Sequence, residues 1–131
     1  MLFRSKLTNL PPTFSNLKEL KKLNLRKNKF KTLPLVLTDL TDLIYLDLMG
    51  NRLKTLPSEV GNWVLLRGLS LEFNGMSTLP KAFENLKELT DLNLRNNSFD
   101  SIPTPIFSLS KLENLDLSNN RIANLQVEIG N

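Results

Sequence analysis

The chain contains neither cysteine nor histidine. Those absences exclude thiol nucleophiles, disulfides, histidine general bases and nearly every zinc or transition-metal site. Aromatic residues make up only 7% of the 131 positions, so any core must be built mainly from aliphatic side chains. No apolar stretch approaches the roughly 20 residues that span a bilayer, and Met1 to Pro12 lacks a run long enough for a signal-peptide core. Absence of cysteine fits a reducing, cytoplasmic setting. Exported bacterial domains also often lack it, so a secreted bacterial protein is the alternative. Carboxylate pairs such as Asp47 and Glu72 have no histidine, cysteine, phosphate loop or enclosing second domain beside them, and they read as surface acids. The expectation is a non-enzymatic protein with no catalytic residues, cofactor, metal or small-molecule substrate.

What is present is a repeat. Asparagine recurs at Asn28, Asn51, Asn74, Asn97 and Asn120, every 23 residues, each time closing a frame of leucines such as Leu20, Leu23 and Leu25. The second half of each unit is as regular. Leu33-Pro34, Leu56-Pro57, Leu79-Pro80 and Ile102-Pro103 are each followed at three and six residues by an apolar pair: Leu37 and Leu40, Val60 and Trp63, Phe83 and Leu86, Ile106 and Leu109. The array divides into a partial unit 1–19, repeats 20–42, 43–65, 66–88 and 89–111, and a partial last repeat 112–131, all in a single domain. The partial unit places Leu7, Leu10, Phe14 and Leu17 in the matching apolar phase. The last repeat has Leu125 followed by Gln126 where proline belongs.

A proline in every unit forbids one long helix. Leu-x-Leu with polar neighbours predicts a short half-buried strand. The apolar residues after proline predict one or two turns of helix or 3₁₀ helix with proline at the first position. A lone unit buries too little to offset its ordering, so units must stack through a parallel sheet. The asparagine amides, each offering one acceptor and two donors, are expected to form a buried ladder along the core. Trp63 occupies a regular core position.

The frame L-x-x-L-x-L-x-x-N-x-L-x-x-L-P resembles the leucine-rich repeat family over essentially the whole chain. In its period and its Leu-Pro pair it is most similar to the subclass found in Ras-signalling scaffold proteins and plant intracellular Ras-group repeat proteins, and to bacterial leucine-rich repeat proteins. The resemblance implies an α/β solenoid curved like a horseshoe. Its parallel β-sheet would line the concave face, and short helical, 3₁₀ or extended segments the convex face. It also implies recognition of a protein partner by the concave face. The chain departs from the family in having no cysteine-containing cap and no obvious polar cap at either terminus. That leaves two expectations: a piece of a longer array, or a short array whose ends something else covers. End-to-end self-association through the terminal strands is a further expectation.

Partner specificity must then reside in the strand positions that the leucines leave free. One of their rows (Asn24, Asp47, Ser70, Asn93, Asp116) is small and polar and reads as solvated surface. Three large side chains break the pattern: Tyr45, Met49 and Phe73. Flanked by Glu72, Asp91 and Arg95, they form the candidate protein-binding site. A second feature is charge. Nine basic residues against Glu19 give residues 1–31 a net +8, which leaves −4 for the remainder of the total of +4. Lys22, Arg26 and Lys27 form the strand-face part of this basic patch. The alternative function is therefore electrostatic binding of a polyanion, nucleic acid or anionic lipid. It is the weaker one, since no aromatic stacking residues are interleaved with the lysines.

Overall fold

The computed structural model describes residues 5–123. Leu125, Gln126 and the closing Ile129-Gly130-Asn131 lie outside them, as does Arg4. Five three-residue strands form one parallel sheet in sequence order: β1 (Lys22–Asn24), β2 (Tyr45–Asp47), β3 (Gly68–Ser70), β4 (Asp91–Asn93) and β5 (Asn114–Asp116). Each pairs with the next at a shift of one repeat, so that Leu23, Leu46, Leu69, Leu92 and Leu115 stand in a row. The returns are five-residue 3₁₀ turns at Pro12–Asn16, Leu35–Asp39, Ser58–Asn62, Lys81–Asn85 and Thr104–Ser108. Sheet strands lie about 4.8 Å apart, whereas the bulkier 3₁₀ turns demand more room, and the solenoid curves with the sheet on its inner side.

The prolines act one step earlier than expected. Pro34, Pro57, Pro80 and Pro103 precede the 3₁₀ turns instead of opening them. Each offers its carbonyl to the N–H three residues on, at Leu37, Val60, Phe83 and Ile106 (3.0–3.2 Å). Proline's fixed φ thus sets the angle at which the chain enters the turn, and its missing donor is not needed there. The apolar residue three further on, such as Leu40 or Trp63, closes the turn by donating its own N–H back to that residue's carbonyl.

The core is a column of leucines from each repeat, with Phe30, Trp63, Phe83 and Phe99 as its largest fully buried side chains. Trp63 is fully buried, and its indole Nε1 donates to the carbonyl of Leu37 at 2.9 Å, one repeat back. Leu17 departs from expectation. It occupies the phase of the buried Leu40, Trp63 and Leu86 yet remains 46% exposed. A repeat side chain is buried by neighbours on both sides, and among the described residues no repeat lies outside Leu17.

The asparagine ladder is present, and its wiring explains the period. Each Oδ1 accepts a backbone N–H from the previous unit: Leu7 to Asn28, Phe30 to Asn51, Leu53 to Asn74, Met76 to Asn97 and Phe99 to Asn120 (2.9–3.2 Å). Each Nδ2 from Asn51 onward donates to two leucine carbonyls, one in its own repeat and one in the repeat before. Asn28 makes the within-repeat bond to Leu25. The Leu25, Leu48, Leu71 and Leu94 carbonyls consequently hold two amides apiece. Asn28, Asn51 and Asn97 are buried, and Asn74 and Asn120 are partly so. Asn74→Ala strands the Leu53 N–H and removes a donor from the Leu48 and Leu71 carbonyls. It should lower stability by about 1–3 kcal/mol. A thermal melt with an unchanged midpoint would show that the ladder carries no such weight.

Candidate protein-binding face

With the leucines facing inward, three residues per repeat stand on or near the inner sheet surface. The first strand position gives the row Lys22, Tyr45, Gly68, Asp91 and Asn114, held side by side by the parallel register. Tyr45 dominates it. Its ring lies across Gly68, so closely that a Cβ at position 68 would come within 2.6 Å of Tyr45 Cδ1. On the other side, Lys22 Nζ stands 5.5 Å from the ring centroid, within cation–π reach. Gly68 is buried beneath the ring, while Tyr45 keeps 45% of its surface exposed. The result is an aromatic floor in the middle of a groove of about 840 Å³ that crosses all five strands.

Along this groove the charge changes sign. Lys22 stands at one end, where the carboxylate of Asp47 is paired with Arg26, whereas Asp91, Glu113 and Asp116 line the other. Asp91 accepts from Asn114 Nδ2 and Thr90 Oγ1 and remains exposed. Asp116 accepts from both the hydroxyl and the backbone N–H of Ser118, which hold its carboxyl below the usual 3.8. Its contribution to stability is therefore fully present above the unfolded pKa and disappears as pH falls through the lowered folded value.

The small polar row Asn24, Asp47, Ser70, Asn93 and Asp116 is more than solvated surface. Every member accepts the N–H two residues ahead, at Arg26, Met49, Glu72, Arg95 and Ser118 (2.9–3.4 Å). These are Asx and Ser turns that end each strand. Their residue types carry that signal, because every one has an oxygen on a short side chain.

Of the candidate binding residues, Tyr45 and Asp91 line the groove, with Lys22 of the basic patch. Met49, Glu72, Phe73 and Arg95 lie beyond the strand ends. Tyr45 pairs with Gly68, and Phe73 follows five positions later, so the two aromatics stand at opposite ends of the repeat's strand segment. They do not form one patch. Neighbours already hold several of the remainder. Arg26 sets its Nη2 on the Met49 sulfur and approaches Asp47 Oδ2 with Nε at 3.5 Å. That separation is long for a hydrogen bond, and the water-shielded Nε has no better partner among the described residues. Glu72 Oε1 accepts from Asn93 Nδ2 at 2.9 Å. Lys27 is exposed.

Phe73 is an unusual residue for the backbone conformation it adopts. The equivalent residues Lys27, Gly50, Asn96 and Asn119 all have positive φ (56–72°), and Phe73 shares it at 59°. Glycine and asparagine suit that conformation, whereas a bulky aromatic is strained by it. Even so, the ring is 58% exposed. No group of acidic side chains among the described residues is placed to hold a metal ion, and no helix among them is long and apolar enough to cross a membrane.

Sequence comparison finds that the leucine rich repeat family matches residues 1–53 and 64–122. Curated proteins give no significant sequence match. Among solved structures, a leucine-rich repeat protein of Leptospira interrogans is similar at 36% identity over 95% of this chain, with a TM-score of 0.84. The chain spans 31% of that protein's length. The ectodomain of the receptor kinase SOBIR1 from Arabidopsis thaliana is 33% identical over 92% of the chain and 68% of its own (TM-score 0.73). A plant peptide hormone receptor, RGFR1, solved in complex with RGF2, is 31% identical over 93% of the chain and 20% of its own (TM-score 0.75).

Replacing Phe73 by Asn, the residue at two equivalent turns, should relieve the backbone strain and raise stability by about 0.5–1 kcal/mol. Chemical denaturation that shows Phe73→Asn to be less stable would instead mean that the ring packs usefully where it stands.

Proposed function

Because the chain belongs to the leucine-rich repeat family, we propose that it is a non-enzymatic interaction module that binds a partner protein through its concave strand face. The observation that carries this reading is the exposed Tyr45 ring fixed over Gly68 at the centre of an open groove. A solvent-facing aromatic with few free torsions is an efficient anchor, since little entropy is lost when a partner covers it. Met49, Glu72, Phe73, Asp91 and Arg95 supply further contacts around and beyond the groove. A similar plant peptide hormone receptor has been solved in complex with RGF2, which supports an interaction role.

The polyanion alternative is less well supported. Arg26 is already engaged by Asp47 and Met49, and a polyanion that continued along the groove from Lys22 would meet Asp91, Glu113 and Asp116.

Cross-linked capture from the native host should recover a protein with the wild-type chain and lose it with Tyr45→Ala combined with Phe73→Ala. Circular dichroism of the double variant should be unchanged, since both side chains are exposed. Capture that survives the double substitution would move the site off this face. Raising salt from about 50 to about 200 mM should weaken capture only a few-fold. A loss approaching a thousand-fold would point to a polyanion held by counterion release.

A further inference from the structure

We propose that the occupant of the groove is an extended polypeptide segment that crosses the strands. It would place an acidic side chain over Lys22, an apolar or aromatic one on Tyr45, and a basic one over Asp91. This deepens the concave-face reading and rests on it. The argument is one of charge and spacing. Lys22, Tyr45, Gly68 and Asp91 occupy successive strands in one register, so Lys22 and Asp91 are three strand steps apart, about 14 Å at ~4.8 Å per step. An extended chain advances about 3.3–3.4 Å per residue, so its two charges fall about four positions apart with the ring contact between them. A helix rising ~1.5 Å per residue would need them about nine apart.

Chemistry at each point is matched. Lys22 has no ion-pair partner among the described residues, and its ammonium stands over the Tyr45 ring. Asp91 is exposed and accepts hydrogen bonds from uncharged groups only, so its charge is not neutralised. Gly68 leaves the ring's path across the sheet clear; any larger residue would lift Tyr45 and close the floor. A uniformly charged ligand is attracted at one end of this row and repelled at the other. A segment with one charge of each sign is attracted at both.

Three nonapeptides with blocked termini test this, each with a central tryptophan and a charged residue two positions to either side: Glu and Lys, Glu and Glu, or Lys and Lys. Fluorescence titration of the wild-type chain should rank the mixed peptide first by about fivefold or more. Lys22→Glu should move the preference to the Lys–Lys peptide, and Asp91→Lys to the Glu–Glu peptide. Tyr45→Ala should weaken all three without changing their order. The proposal is overturned if no peptide binds at millimolar concentration, if all three proteins share one ranking, or if the Glu–Glu peptide binds the wild type best. Should capture of the native partner still depend on Tyr45 and Phe73 in that event, the concave-face reading stands and only the extended two-charge segment is lost.

Discussion

The solenoid depends on a side-chain amide that each repeat extends to the one before it. Asn51, Asn74, Asn97 and Asn120 each accept one N–H and donate to one carbonyl across the repeat boundary, while also tying down their own turn. No isolated repeat can satisfy these groups. Burial without a partner is costly for any polar group, so the ladder makes stacking a condition of folding and holds every repeat to the same length. It also sets the register of the sheet. A slip of one residue would misalign every amide at once, in addition to turning the leucines outward. Three-residue strands hold parallel pairing this regular because the turns beside them are locked.

That constraint decides which residues remain available to a partner. Leucine rows belong to the core, asparagines to the ladder, and the small polar row to the turns that end the strands. The first strand position remains, with the residues just beyond the turn, and the latter are partly cross-linked by Arg26 to Asp47 and Met49 and by Glu72 to Asn93. The row from Lys22 to Asn114 is exposed at every position except Gly68, which the Tyr45 ring covers. Charge is segregated along the chain, with its beginning basic and the remainder acidic. It becomes segregated along this line because the order of strands in space follows their order in sequence.

The architecture was legible in the sequence because a repeat states the same facts several times. Leu46, Leu69 and Leu92 predict one another's burial, and the proline spacing predicts the returns. Less legible were features that depend on contact between repeats. Burial of Trp63 followed from the pattern, but its bond to the Leu37 carbonyl joins residues 26 apart. Grouping Tyr45 with Phe73 as one hot spot treated adjacent strands as if they were points. Register places Gly68, not Phe73, beside Tyr45, and the two aromatics separate. The role of the small polar row was missed for another reason: solvated surface and strand-ending turns favour the same residue types, and only geometry distinguishes them.

In a repeat protein, departures from the repeat have to be explained individually, because the consensus already serves stability. Two stand out, Gly68 and Phe73, and they lie in one repeat. Glycine within a strand costs about 0.5–1 kcal/mol relative to alanine. A non-glycine residue in the left-handed conformation costs about 1–2 kcal/mol. Neither loss is recovered by burial, since Gly68 has no side chain to pack and Phe73 is 58% exposed. Both departures do the same thing geometrically, which is to present an aromatic ring to solvent from rigid backbone. One clears space for Tyr45 to lie flat, and the other projects Phe73 from the turn. A ladder shared among stacked repeats can absorb the combined loss without unfolding, which an isolated unit could not. Their repeat has described strands on both sides, so the groove continues past the Tyr45 ring in both directions.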